Sequence, residues 1–467
     1  MSSSVPYEPN EEFRDSVATV TKEGKRRWIF AQRPSGKFYN ARTVVSIVYL
    51  VVFFLLPFIR VNGDPFFLFN VLERRFVFFG VTFWPQDFFI FGIGMLVFIL
   101  FVVVFTVAFG RIFCGWACPQ TVFMEMVFRR IEYWIEGDAQ YQKQLDKMPW
   151  NTEKLLRRGG KHLLFFSMAF IIANTFLAYV IGTDDLFRII REPVAQHVGG
   201  FISLLLFTGI FYAVYAWFRE QVCLIVCPYG RLQGVMTDKD TINIAYDYVR
   251  GEPRAKFRKN ATANTGDCID CFQCVKVCPM GIDIRNGSQL ECTNCTACID
   301  ACDFMMEKTG KPKGLIRYAS ENGIANKQRL RFTPRIIAYS VVLFALIGIL
   351  AALLLTRRDV DTTILRTPGM LYQEQPGDRI SNLYNIKLIN KTHRGMPVTL
   401  RLESGEGFIR MVGKDIVLRP ASENESSFFV FLPKGAIQQR KTTLHIRVYS
   451  NGELLQTVKT TFLGPTY

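Results

Sequence analysis

The sequence predicts a multi-domain membrane protein: a five-helix α-helical membrane domain, a compact cysteine-rich domain on one side of the bilayer, and a C-terminal all-β domain on the other. Three observations carry this. Five apolar stretches approach bilayer length, eight cysteines fall in two tightly spaced runs, and a cysteine-free C-terminal region breaks into short alternating segments. At 467 residues the chain exceeds one ordinary domain, and 49% hydrophobic content with 42 Phe points to the bilayer.

The apolar stretches run from Thr43 to Ile59, Phe88 to Gly110, His162 to Gly182, His197 to Phe218 and Ile336 to Leu355, each close to the ~20 residues that a hydrocarbon core requires. The first is the shortest. About forty mostly polar residues precede it and no small-residue cleavage site follows, so it reads as an anchor rather than a cleavable signal. Orientation follows from the basic residues, which stay on the cytoplasmic side. The tail to Arg42 holds eight Lys and Arg, 111–161 holds nine and 219–335 holds eighteen, against three in loop 60–87 and two in loop 183–196. The expected organisation is therefore a cytoplasmic tail 1–42, a four-helix membrane domain 43–218, a cytoplasmic domain 219–335, a fifth helix 336–355 and a periplasmic domain 359–467. Arg357 and Arg358 run against the charge pattern. Much of the +16 net charge is thus topological, and a nucleic-acid partner is set aside.

Cysteine usage agrees with this topology. All twelve cysteines lie in inner segments or at their membrane edge, and none lies in the region after the fifth span, as expected if reduced thiols stay in the cytosol. The outer domain reads as strands over Asn382–Asn390, Met396–Glu403, Phe408–Val412, Asp415–Arg419, Ser427–Leu432, Thr442–Tyr449 and Leu454–Phe462, rich in β-branched and aromatic residues and separated by turn signals. Seven such strands suggest an immunoglobulin-like sandwich. Pattern alone does not separate a partner-binding platform from a passive cap.

Cysteines 268, 271, 274 and 278, then 292, 295, 298 and 302, form two successive Cys-x2-Cys-x2-Cys-x3-Cys runs, the ligand spacing of a bacterial 2[4Fe-4S] ferredoxin. In that pattern three thiolates of one run wrap a cubane and the fourth comes from the other run. Cys268, Cys271, Cys274 and Cys302 would hold one cluster, and Cys292, Cys295, Cys298 and Cys278 the other. Paired structural zinc sites are the alternative, but zinc takes ligands in pairs separated by a longer loop. Pro279 follows Cys278 as in ferredoxins, whereas Asp303 stands after Cys302 where a second proline is usual.

A second constellation repeats at the membrane edge. Cys114-Gly-Trp-Ala-Cys118-Pro119 follows the second span and Cys223-Leu-Ile-Val-Cys227-Pro228 follows the fourth. Three intervening residues would place the two sulfurs of a pair one helical turn apart, and four soft sulfurs could share a metal ion or exchange electrons. Thiolate and thioether ligands favour Cu(I), zinc or iron-sulfur centres; packing as small apolar residues is the bland reading. Met124, Met126 and Met236 are expected to pack rather than ligate. His162 and His197 should open spans, meeting headgroups or capping helices, with a quinone, haem or copper role as the sharper alternative. Glu125 and Glu132 could relay protons or bind a cation, a solvated helix face being the ordinary expectation. His393 and His445 belong to the outer domain as surface or packing residues, and the Arg254–Lys259 run is expected to face lipid. No Walker motif, nucleotide-binding glycine fingerprint or nucleophile triad is present.

Arg111–Gln120, Gln221–Gly230 and Asp267–Asp303, with Tyr384–Thr392 opening the outer domain, together resemble the CcoG family of cytochrome c oxidase accessory proteins, also called FixG or RdxA. The resemblance spans nearly the whole chain. The membrane and cluster portion alone is also similar to NapH-type quinol-oxidising subunits and to the membrane part of NosR; the outer domain and the lack of a flavin-binding segment separate them. The resemblance implies a protein of the bacterial inner membrane that reduces Cu(II) to Cu(I) for the copper centre of a cbb3-type oxidase. It implies two [4Fe-4S] clusters on the eight run cysteines, copper contact at Cys114, Cys118, Cys223 and Cys227, and oxidase subunits or copper chaperones and transporters as partners. Quinol oxidation and a non-enzymatic assembly scaffold are the competing functions. The electron donor and the oligomeric state stay open.

Overall fold

The computed structural model describes residues 18–21, 23–61, 63–71, 75–84, 87–257, 265–327, 333–392, 394–403, 407–413, 416–420, 422–437 and 439–465. The chain divides into two units, Met1–Pro57 with Gly92–Gly348 and Phe58–Phe91 with Ile349–Tyr467. Among the described residues five helices are long and apolar enough to cross a membrane: Lys37–Phe58, Phe88–Phe109, Thr152–Ile181, Val198–Phe218 and Pro334–Leu355.

Two of these helices begin earlier than hydropathy suggests, and for one reason: polar residues near their starts find partners inside the protein. Arg42 is buried, its Nε donating to the Gly115 carbonyl at 2.6 Å, so the first helix extends back to Lys37 instead of starting at Thr43. The backbone N–H groups of Phe38 and Tyr39 donate to Asp300 at 3.1 and 2.7 Å. This satisfies orphan donors at the helix start and places a carboxylate at the positive end of its dipole. The third helix starts at Thr152, with the Asn151 side chain accepting from the Lys154 N–H at 2.8 Å as an N-cap. His162 therefore does not open this span. It lies ten residues inside the helix, with Nδ1 2.9 Å from the Tyr212 hydroxyl. His197 does stand immediately before the fourth helix, but its ring pairs with Glu192 and caps nothing.

The cysteine runs sit on short elements around a two-stranded antiparallel ladder, Asn243–Tyr246 with Ile316–Ala319. Gln273–Lys276 and Ala297–Lys308 are the helices. Ile244, Tyr246, Ile284, Ile299, Met306, Leu315 and Ile316 form a core shared with the cysteines. In the Arg254–Lys259 run, Arg254 pairs with Glu252 at 3.0 Å rather than facing lipid; Arg258 and Lys259 lie outside the described residues.

In the second unit the C-terminal domain is an IG-like two-sheet sandwich. One sheet orders Phe408–Val412, Glu423–Pro433, Arg379–Asn390 and Val360–Arg366, with Gln373–Gln375 also paired to Arg379–Asn390; the other orders Ile416–Leu418, Met396–Leu402, Lys441–Ser450 and Glu453–Leu463. Val360–Arg366 and Gln373–Gln375 are absent from the expected seven strands. The first carries Arg and Asp among its β-branched residues, and the second is wholly Gln and Glu, so neither shows a strong apolar alternation. Asp415, placed at the start of an expected strand, and His393 fall outside the described residues. His445 is half-exposed on its strand, 3.3 Å from Glu403, as expected of a surface residue.

Tyr384 links the two sheets. It is fully buried, stacks on Phe428 at 5.6 Å, and its hydroxyl donates to the Thr461 carbonyl at 2.9 Å across the core. Replacing it with phenylalanine is expected to cost about 1 kcal/mol. Hydrogen exchange on the full-length protein should then show roughly fivefold lower protection along Arg379–Asn390; unchanged protection would remove the hydroxyl from the account.

The loop expected between the first two spans carries structure too. Phe67–Asn70, Arg75–Phe78 and Val81–Phe83 form a three-stranded antiparallel sheet with Phe67–Phe78 and Phe69–Phe76 contacts at 5.1 and 4.7 Å. Asp87 follows it. Its carboxylate receives Arg357 at 2.6 Å and also pairs with Lys391, while Arg357 lies over the Phe83 ring at 4.8 Å. Burial pushes the Asp87 carboxyl up, but Lys391 and Arg357 outweigh it and hold the group below the usual carboxylate range. Arg357, which broke the charge pattern in the sequence, is thus a structural partner.

Candidate metal centre

The fold gathers the run cysteines into two cavities. One is lined by Cys268, Cys271, Cys274 and Cys302 with Tyr246, Phe272 and Arg285. The other is lined by Cys278, Cys292, Cys295 and Cys298, and Cys274 lines it too. In each cavity the fourth cysteine comes from the opposite run.

The backbone repeats as the sulfurs do. Asp270 and Phe272 have φ of 53° and 56°, and Asn294 and Thr296 have φ of 54° and 67°. Counted from the first cysteine of each run, these are the same two positions. Left-handed non-glycine residues are costly and persist only where the surroundings over-determine them, and alternation of this kind turns successive N–H groups toward an anionic centre, as in many Fe–S sites. Burial pushes the Cys274 thiol up to about 12 and Cys292 up to about 11, with Cys278, Cys298 and Cys302 also raised. Thiolates here need a cationic centre. Among the described residues no three His, Cys, Asp or Glu side chains converge on a single ion; the run sulfurs instead line cavities. Donor set, cavities and repeated backbone fit iron-sulfur clusters.

The membrane-edge cysteines depart from the expected geometry. Cys114 lies in the helix Ile112–Trp116 and Cys223 in the π-helical turn Val222–Val226, but Cys118 and Cys227 are extended, with ψ of 127° and 112°. The two sulfurs of a pair are not one turn apart on one helix. The cause is the following proline, which disfavours helical backbone at the residue before it. Each second cysteine instead occupies the N-cap of the next helix, with Pro119 or Pro228 at its first position. That puts Cys118 at a positive helix end, where the backbone N–H groups of Thr121 and Gln120 offset part of the rise that burial imposes on its thiol. Burial pushes Cys223 up to about 12, Cys118 and Cys114 add to the rise, and Arg111 opposes it.

The pairs are brought together. Cys223 lies within electrostatic range of Cys114, Cys118 and Cys227. The buried Gln233 carboxamide, from the helix after Cys227, sets its nitrogen 3.5 Å and its oxygen 3.8 Å from Cys114 Sγ. The first pair also meets the second cysteine run directly. A Cβ on Gly115 would stand 2.5 Å from the Thr293 carbonyl oxygen and 2.7 Å from that of Asn294, so only glycine allows this approach. Trp116 Nε1 donates to the Tyr318 hydroxyl at 3.1 Å, closing the other side. Met124 and Met126 are buried packing residues; Met236 is half-buried.

Glu125 and Glu132 do not form a solvated face. Both are buried in an ionic network: Glu125 with Arg129 at 3.1 Å, and Glu132 with Arg219 at 2.9 Å and Lys161 at 3.7 Å. Lys161 also holds Glu136 at 2.9 Å. Burial pushes the Glu132 carboxyl up, but Arg219, Lys161 and Arg129 outweigh it and hold it below the usual carboxylate range. The sequence carried one signal for this: Glu132, Glu136, Arg158 and Lys161 recur at helical spacing on adjoining segments.

Comparison with known proteins matches residues 218–321 to the 4Fe-4S dicluster domain, 91–137 to a 4Fe-4S binding domain, and 350–465 to the IG-like fold at the C-terminus of FixG. Nitrogen fixation protein FixG of Rhizobium meliloti is 34% identical over 468 residues, covering 88% of this chain and 87% of that protein. Proteins RdxA and RdxB of Cereibacter sphaeroides are 34% and 36% identical, the matches covering 86% of both chains for RdxA, and 80% of this chain with 81% of the other for RdxB. A crystal structure of a FixG-related protein from Vibrio parahaemolyticus aligns with 23% of this chain and 97% of its own, at 18% identity and a TM-score of 0.20.

Proposed function

The chain belongs to the FixG/RdxA/RdxB family of membrane iron-sulfur proteins of the oxidoreductase and electron-transport class, and from that premise we propose that it reduces Cu(II) to Cu(I) for assembly of the copper centre of a cbb3-type oxidase. Cys268, Cys271, Cys274 and Cys302 would hold one [4Fe-4S] cluster, and Cys292, Cys295, Cys298 and Cys278 the second. Bound there, such clusters supply one-electron storage and transfer. The excess of basic residues in 1–42, 111–161 and 219–335 supports a cytoplasmic cysteine-run domain and a periplasmic sandwich at a bacterial inner membrane.

One observation carries the reading: Gly115, between Cys114 and Cys118, is pressed against the backbone of Thr293 and Asn294, between Cys292 and Cys295. The four membrane-edge thiols contact the substrate copper ion, which gains one electron and leaves as Cu(I). A thiol that ligates as thiolate gives up its S–H proton and regains it as copper leaves, so the protein is unchanged overall. Soft thiolates favour the cuprous product, and the N-cap position of Cys118 offsets part of what burial does against its thiolate. Oxidase subunits and copper carriers are the partners that this role requires.

Protein carrying Cys114→Ser and Cys227→Ser should keep its iron-sulfur absorbance and lose cupric reduction by at least tenfold in a cuprous-chelator assay. Unchanged reduction eliminates the quartet as the site, and bleaching by quinol without any need for copper replaces this reading with quinol oxidation.

A further inference from the structure

The two thiol motifs carry opposite charges at one equivalent place. Three residues before the first cysteine stands Arg111 in one motif and Glu220 in the other, both buried. Glu220 is neutralised, with Arg26 at 3.1 Å, Arg219 at 3.7 Å and Arg129 at 4.0 Å. Arg111 is not. Among the described residues it forms no ion pair; one N–H donates to the Leu290 carbonyl, and its Nε has no acceptor. A buried guanidinium without a carboxylate is costly; nearby negative charge would offset that cost, as it would for Arg42, which is also buried and without an ion pair among the described residues.

The geometry sets Arg111 beside the backbone of both cysteine constellations. Arg111 Nη2 lies 3.0 Å from where a Cβ on Gly230 would stand, and the Cys223 carbonyl lies 2.6 Å from the same point. On its other side the guanidinium bonds Leu290, two residues before Cys292, and it shares the wall of one cavity with Cys292, Asn294 and Gln233. Gln233 in turn touches Cys114. Glu291 also lines this cavity but forms no ion pair with Arg111. The contrast lies at the other run: Arg285, on the wall of the Cys268–Cys302 cavity, is paired with Asp283 and Asp270, each at 2.6 Å, and brings no net positive charge.

We propose that Arg111 is a positioning residue, a fixed positive charge shared by the thiol quartet and the second cysteine run, which makes the centre held by Cys278, Cys292, Cys295 and Cys298 the more easily reduced of the two. This rests on the reading that both runs hold clusters. An added electron adds negative charge, and a nearby uncompensated cation favours the reduced state. The more easily reduced centre is then the one beside the copper-contacting thiols, which gives electron flow its direction.

The test is a redox titration followed by electron paramagnetic resonance on the full-length protein in detergent, comparing wild type with Arg111→Gln and Arg111→Lys. Glutamine should lower the reduction equilibrium constant of one cluster about tenfold, ~59 mV for one electron, and leave the other within about twofold. Lysine, which keeps the charge, should stay within about threefold of wild type. Equal shifts of both clusters, or none, overturn the proposal. Should glutamine abolish cluster retention while lysine preserves it, the charge requirement stands; loss in both variants assigns Arg111 a role in shape and overturns it. Wild-type protein without any cluster signal would fail the functional reading first, a result distinct from all of these.

Discussion

Replacing Glu132 with glutamine is expected to destabilise the protein by up to about 3–5 kcal/mol, the cost of removing one partner from a buried ion pair, reduced by what Glu220 and Glu136 still supply to Arg219 and Lys161. The magnitude follows from what is left behind. Arg219 and Lys161 are both buried, and their charges at 2.9 and 3.7 Å would lose the carboxylate between them. Thermal unfolding in detergent should show the loss, while Glu153→Gln, at an exposed pair with Arg157, should show no measurable change. The pH dependence has a definite sign. Because the folded carboxyl of Glu132 is held below its ordinary value, its contribution is fully present above the unfolded pKa of about 4.3 and is lost as the pH falls through the lower folded value. Wild-type protein should therefore lose stability on acidification across that window more steeply than the glutamine variant. Equal slopes would show that the network is not the acid-sensitive element.

The second large effect concerns the crossed arrangement of the runs. Cys302→Ser is expected to cut the iron content to roughly half, because a cubane bound through four cysteines loses a ligand. Since Cys302 lines the cavity of Cys268, Cys271 and Cys274, adding Cys268→Ser should change little further. Adding Cys292→Ser should remove the remaining iron. Mutations within one cooperative unit are non-additive and those in separate units add, so this pattern reports which cysteines share a centre. If Cys302→Ser and Cys292→Ser together lose no more iron than either alone, the cavities do not correspond to separate clusters.

Much of this was legible in the sequence where one physical rule dominates. Bilayer thickness sets span length, so the five helices were visible as hydropathy, and alternation exposed most of the sandwich strands. The failures share another cause: polar groups whose partners lie far along the chain. Arg42 and Lys161 counted as basic residues outside the spans, whereas Gly115 and Glu136 hold them inside the protein. Glu132 looked solvated because Arg219 is remote in sequence. The thiol pairs were misplaced for a local reason that could have been read, since each second cysteine precedes a proline and so cannot continue a helix. What spacing alone could not supply is the packing of Gly115 on Thr293 and Asn294, a contact between segments almost 180 residues apart.

Asp87 immediately precedes the helix Phe88–Phe109, and Arg357 stands two residues after the helix Pro334–Leu355; both helices have 22 residues. Their ion pair at 2.6 Å fastens two membrane exits to a common level. Neither helix can then shift along the bilayer normal by a turn without breaking a buried bond. A change in lipid thickness must be met by leaning the two together, and inserting one residue into either helix alone should be resisted where matched insertions in both are tolerated.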